Sequence, residues 1–118
     1  MIRLAIVGSR NYTDYKEFVK IINDIVGRIG VPPDIIVSGG ATGVDALAER
    51  YAIDNKIEFK VFPADWKTYG RKAGPIRNTQ IVNDATHVIA LPSKESKGTY
   101  DTIRKARTLK RKLFIKVI

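Results

Sequence analysis

The sequence predicts an α/β fold in which a five-stranded parallel sheet, in the order 3-2-1-4-5, lies between two layers of helices. Five short apolar runs alternate with segments of helical period along the whole chain, which is the pattern of strand–helix–strand crossovers. The runs at residues 2–7 and 88–91 are almost continuously apolar, as suits central strands covered on both faces. The run at 56–62 instead alternates, with Ile57, Phe59 and Val61 on one side and Glu58, Lys60 and Phe62 on the other, which suits an edge. Right-handed crossovers then leave a doubly wound order with strand three at one edge.

Strand one is 2–7, followed by the loop Gly8-Ser9-Arg10-Asn11-Tyr12. Asp14 and Glu17 have capping-box spacing. Phe18, Ile21, Ile22, Ile25, Val26 and Ile29 then fall at i, i+3, i+4, i+7, i+8 and i+11, an amphipathic helix. Gly30 stops it and Pro32-Pro33 forbids its continuation. Strand two is 34–37. Helix two follows to about Asp54, with Val44, Leu47, Ala48, Tyr51 and Ala52 on its inner face. Pro63 ends strand three. Residues 64–74 show no apolar period and read as a long loop. Helix three starts at Gly74-Pro75 and runs to about Asp84, strand four is 88–91, and 92–97 is polar loop. Gly98-Thr99 opens helix four, which runs to about Leu109, and strand five is 113–118.

A chain of 118 residues is expected to form one domain, burying ~65% of its unfolded surface. At 44% hydrophobic and 28% charged it has an ordinary globular composition. It contains no cysteine, so disulfides and thiolate metal sites are excluded. No signal peptide or membrane-spanning run is visible, and a cytoplasmic location away from membranes is expected. The net charge of +9 favours phosphorylated or polyanionic partners. Arg104, Lys105, Arg107, Lys110, Arg111, Lys112 and Lys116 crowd the C-terminal end, as a solvated helix face or, as a second reading, a nucleic-acid stripe.

In this strand order the topological switch lies between strands one and four, where ligands of open α/β sheets bind. The loops 8–12, 38–43 and 92–99 meet there. Ser38-Gly39-Gly40-Ala41-Thr42-Gly43-Val44-Asp45 is a glycine-rich turn from a strand into a helix, and free N–H groups at a helix N-terminus attract phosphate. Thr42 and Asp45 have capping-box spacing, with Asp45 reaching back to the Thr42 N–H. Gly98-Thr99 marks a second helix N-terminus, with Lys97 before it. Arg77 opposes the dipole of helix three at a cost of ~0.3–1 kcal/mol. A bound anion reverses that sign, and Asp65 is its alternative partner. Asn78 is placed to bond a base or ribose. Trp66 and Tyr69 could stack on a base, although Trp66 reads better as a loop anchor at the sheet edge. Asp45 or Asp101 with Arg77 are the candidates for any catalysis. The glycine pattern meets neither the dinucleotide fingerprint nor the P-loop. The one histidine, His87, lies at the entrance of strand four, opposite the crevice, so a metal cluster or histidine triad has no material.

Gly8-Ser9-Arg10, Ser38-Gly39-Gly40-Ala41-x-Gly43-x-Asp45, Pro63-Ala64-Asp65-Trp66, Ala73-Gly74-Pro75-x-Arg77-Asn78 and Gly98-Thr99 together resemble the SLOG superfamily, which joins the DNA-processing Smf/DprA proteins and the LOG cytokinin-activating enzymes. The likeness is greatest to its short, stand-alone YspA-like branch. The resemblance implies a Rossmann-like domain that binds a nucleotide or nucleotide-derived ligand as a sensor or carrier, with no cofactor identified beyond it. It implies phosphate or ribose contacts at Gly39, Gly40, Thr42, Gly98 and Thr99, an anion contact at Arg77, and a homodimer. LOG enzymes are nucleoside monophosphate N-glycosidases that use an Arg and the Glu of a P-G-G-x-G-T-x-x-E motif. That Glu position is Thr102 here, with Asp101 one residue out of register, a turn of ~100° on a helix. DprA-like binding of single-stranded DNA is a further alternative.

Overall fold

The computed structural model describes residues 1–118. β1 (Arg3–Gly8) runs through the centre of the sheet, with β2 (Ile35–Ser38) and β3 (Glu58–Val61) on one side and β4 (His87–Leu91) and β5 (Lys112–Ile115) on the other. The order is β3-β2-β1-β4-β5 with every pair parallel, and Ala5 pairs with both Val37 and Val88. This is the doubly wound, Rossmann-like arrangement that the alternation of runs predicts.

Alternation within β1 divides the core. Leu4 and Ile6 pack with Ile36, Ile89 and Leu91 against α1 (Tyr15–Ile29) and α2 (Val44–Asp54), around Phe18, Ile22 and Tyr51. Ala5 and Val7 face the other way, with Val37, Val88 and Ala90, against α4 (Ala73–Asp84) and α5 (Lys97–Thr108). The small side chains of Ala5, Ala90 and Ala106, all fully buried, let α4 and α5 lie close to the strands.

Half of the capping box at α1 forms. The Asp14 carboxylate accepts the Glu17 N–H at 3.0 Å, but the Glu17 carboxylate accepts the Tyr12 hydroxyl at 2.6 Å instead of returning to the cap. Asp14→Ala therefore lowers stability by about 1 kcal/mol, measurable as a lower urea midpoint at unchanged m-value.

The segment 64–74 is not the loop its sequence suggests. The Asp65 carboxylate accepts the Thr68 N–H at 3.1 Å and winds Trp66–Tyr69 into a single turn, α3, which passes through the 3-10 turn Gly70–Lys72 directly into α4. A four-residue helix is too short to display an apolar period. In consequence Pro75 is the third residue of α4, and Arg77 lies in its second turn instead of its first. Strand three is also shorter than its alternating run, and the remaining boundaries shift by one to three residues, mostly the scatter expected of helix and strand ends. No helix is long and apolar enough to cross a membrane.

Candidate functional site

Where β1 and β4 end, the chain leaves in opposite directions and opens a crevice of about 390 Å³. Gly8, Ser9 and Arg10 line it from the β1 exit, Asp45 from α2, Arg77 and Asn78 from α4, and Gly98 and Thr99 from α5. These eight residues, all singled out in the sequence, thus converge on one cavity, and Lys97 joins them. Four others, Ser38, Gly39, Gly40 and Thr42, do not line it.

The glycine turn reaches the crevice only at Ala41 and, at its end, Asp45, and several of its polar groups are used internally. The fully buried Ser38 hydroxyl donates to the Ile6 carbonyl at 2.9 Å. The Val44 N–H donates to the Ser9 carbonyl at 2.9 Å, and the Thr42 hydroxyl to the Arg10 carbonyl at 3.1 Å. The expected Thr42–Asp45 box is absent. Gly43, at φ 72° and ψ −129°, occupies the N-cap with no side-chain cap. Asp45 reaches back past Thr42 to the Ala41 N–H at 3.1 Å, because the positive φ of Gly43 turns the chain between them. The turn clasps the Ser9-Arg10 loop and positions two charged groups.

Those groups are Arg77 and Asp45. Arg77 is 8% exposed and Asp45 6%. Arg77 donates from Nη1 to the Gly39 carbonyl at 2.8 Å and from Nε to the Asn78 side-chain oxygen at 3.1 Å. A Cβ on residue 39 would overlap this guanidinium and press on the Asp45 carboxylate, so glycine is needed there for the close approach. Arg77 takes part in none of the ion pairs of the chain, and the anticipated pairing with Asp65 does not occur. Its Nη2 has no protein acceptor and is not sealed from solvent. Burial lowers the Arg77 pKa against the pull of Asp45, and Arg10 lowers it further. Burial raises the Asp45 pKa, opposed by the Ala41 N–H and the charges of Arg77 and Arg10. The Ser38 hydroxyl has one proton, and the Ile6 carbonyl takes it, so Ser38 gives Asp45 little relief.

Across the crevice α5 begins without a side-chain cap. Its N-cap, Ser96, turns its hydroxyl to the Ser93 N–H at 2.9 Å, which leaves the Gly98 and Thr99 N–H groups with no protein acceptor. Ser93 and Ser96 line the cavity as well. They escaped the sequence reading, although serine just ahead of Gly98-Thr99 is a recognisable N-cap signal. Asn78 is not free for a base or ribose contact through its amide N–H groups. They go to the Gly98 carbonyl at 3.2 Å and to the Asp101 carboxylate at 3.1 Å. Thr102 reaches the cavity wall and donates to the Gly98 carbonyl at 3.2 Å.

Asp101 lies outside this cavity, held by Lys105 at 2.8 Å and Arg104 at 3.2 Å. Burial pushes its pKa up, but the hydrogen bonds from Lys105 and Asn78 and the two nearby cations outweigh burial and hold it below the usual 3.8. The folded state therefore binds fewer protons than the unfolded state. The resulting stability is present above about pH 5 and is lost as pH falls through 3.8 and on through the folded-state pKa. In Asp101→Asn the loss of melting temperature between about pH 5 and about pH 3 is correspondingly smaller than in the parent.

Trp66 and Tyr69 are half exposed, so Trp66 is not packed away as the loop anchor expected at the sheet edge. The basic C-terminal residues divide. Arg104 and Lys105 hold Asp101, and Arg111 donates to the Val82 and Asn83 carbonyls at the end of α4. Because α5 runs away from the crevice, Arg107, Lys110 and Lys112 sit at the opposite end of the sheet.

Residues 2–69 match the family described as the YspA, cpYpsA-related SLOG family. The Gene 61 protein of Mycobacterium phage D29 is 36% identical over an alignment of 115 residues, and the match covers 91% of this chain and 90% of that protein. Two solved structures share the fold at lower identity. DNA processing protein A from Streptococcus pneumoniae superposes with a TM-score of 0.75 at 21% identity, over 98% of this chain and 50% of its own. The same protein from Helicobacter pylori, solved for its single-stranded DNA binding mode, gives 0.71 at 19% identity over 97% of this chain. The chain spans only half of the first and 64% of the second.

Proposed function

The chain belongs to the YspA, cpYpsA-related SLOG family, and from that premise we propose that its crevice binds a phosphorylated, nucleotide-type ligand as a sensor or carrier. One observation carries the reading. Arg77 is a buried cation with no carboxylate partner and with a free nitrogen at a cavity that the uncapped N-terminus of α5 also faces. A buried charge that makes no direct ion pair is costly, and Asp45 acts on Arg77 only from beyond ion-pair distance. An anion at a helix N-terminus is favourable. A phosphate between Arg77 and the Gly98 and Thr99 N–H groups satisfies both. Arg10 and Lys97 add positive charge against Asp45 and Glu95, and the volume suits a small ligand.

Thermal melts against nucleoside mono- and diphosphates, NAD, ADP-ribose and cyclic dinucleotides test this. A ligand at about 100 times its dissociation constant adds about 2.7 kcal/mol of stability. No shift with any of them overturns the reading. Binding without cleavage is expected, because Thr102 supplies a hydroxyl where the LOG motif has a carboxylate and Asp101 is held away by its cations. Release of free base from a nucleoside monophosphate, lost in Asp45→Asn, would replace binding by hydrolysis.

The net charge of +9 and the DNA-binding neighbour from Helicobacter pylori favour a second reading, single-stranded DNA held at the crevice mouth by Arg10, Lys97 and Arg104. A gel shift with single-stranded DNA at low salt tests it, where phosphate contacts are strongest.

A further inference from the structure

Beside the anion crevice lies a second hollow of about 340 Å³, bordered by Trp66, Gly74, Pro75, Asp101 and Arg104. It shares Arg10, Arg77, Asn78, Lys97 and Gly98 with the first, so the two are lobes of one continuous depression. The second lobe differs in chemistry. Its wall is the indole of Trp66, 53% exposed on the short α3. No aromatic ring stacks on the indole and no hydrogen bond engages its N–H. The indole edge lies against Gly74, with Cη2 3.4 Å from where a Cβ would sit. The one carboxylate of the lobe, Asp101, is already neutralised by Lys105 and Arg104. A large planar apolar surface left in water next to an anion site is arranged for a flat ring joined to a phosphate.

We propose that this lobe receives the heterocyclic base of a 5′-nucleotide unit, stacked on Trp66, while its phosphate lies at Arg77 and the start of α5. The inference rests on the anion-binding reading above and adds where the base goes and which residue holds it. The nucleotide unit comes either free or as part of a single strand, since both present a phosphate and a stackable ring.

Trp66 is the only tryptophan of the chain, so its fluorescence reports this lobe alone. The probes are AMP, ribose 5-phosphate and a short single-stranded DNA, added to the parent protein and to Trp66→Leu. AMP is expected to quench the emission saturably. Ribose 5-phosphate raises the melting temperature without quenching. Trp66→Leu weakens AMP by about tenfold and leaves ribose 5-phosphate unchanged. Quenching by the DNA but not by AMP also supports the proposal and identifies the strand as the source. If AMP raises the melting temperature without quenching and binds Trp66→Leu equally well, the base lies elsewhere and this proposal fails while the anion site stands. If none of the three probes shifts the melt or quenches, both are overturned. A circular-dichroism spectrum of Trp66→Leu matching the parent separates lost stacking from lost folding.

Discussion

Arg77→Met abolishes the thermal stabilisation produced by phosphorylated ligands while leaving the unliganded protein folded. Hydrogen bonds to a charged group contribute ~1.5–3 kcal/mol, so affinity falls by at least about tenfold and, with the buried charge gone, by more. Stability itself changes little because two effects oppose each other. The variant leaves the Gly39 carbonyl and the Asn78 oxygen without their donor, which costs stability. It also removes a buried cation that makes no direct ion pair, which offsets that cost, although Asp45 then loses one of the two charges that favour its ionised form. Arg77→Lys separates charge from geometry. It keeps the cation, loses the fixed fork that reaches Gly39, Asn78 and a ligand together, and is expected to bind at an intermediate level. The measurement is the melting temperature of the three proteins with and without ligand. A parent-like shift in Arg77→Met would move the anion site to α5 alone.

The parts of this site that were legible in the sequence are those with local causes. The strand order followed from the apolar runs and the alternation at Glu58 to Val61, because burial on two faces or one writes itself into successive residues. Arg77 was singled out as a cation in the first turn of a helix, but the structure puts it in the second turn of α4, where that cost has faded, and what distinguishes it is its burial against Gly39 and Asn78. What escaped depended on contacts across the chain. Asp45 lies three residues from Thr42, which satisfies the box spacing, yet its carboxylate bonds Ala41 because Gly43 adopts a positive φ. Asn78 looked available for a ligand, but its two N–H groups meet Gly98 and Asp101 on a different helix. Nothing within five residues of Asn78 announces them. The single turn at Trp66–Tyr69 is closed by one aspartate cap, a signal too small to outweigh missing periodicity. With that turn missed, Trp66 read as a loop anchor packed on the sheet edge, whereas it is exposed on α3 beside the crevice.

Gly43→Ala is expected to destabilise the protein strongly. Its φ of 72° with ψ near −129° belongs to a region that side chains avoid, at a cost of about 1–3 kcal/mol. The added Cβ also runs into the Ser9 carbonyl oxygen and the Arg10 backbone. Main-chain atoms cannot swing aside as a lysine tip would, and overpacking of this kind adds about 1–3 kcal/mol. The sum is a large part of the 5–15 kcal/mol that holds a domain together, and the melting temperature should fall by about 10–20 °C. Gly27→Ala is the control. Gly27 lies inside α1 with nothing within 4 Å of an added Cβ, so the same chemical change there should stabilise by about 0.5–1 kcal/mol. The damage at Gly43 also reaches the site, since the clash is with the Ser9-Arg10 loop that lines the crevice and with the Val44 to Ser9 hydrogen bond that holds it. Ligand affinity should therefore weaken in Gly43→Ala even where the protein remains folded, and in Gly27→Ala it should not. Equal melting temperatures for the two variants would mean that the loop yields freely, and that the glycine turn does not clasp it.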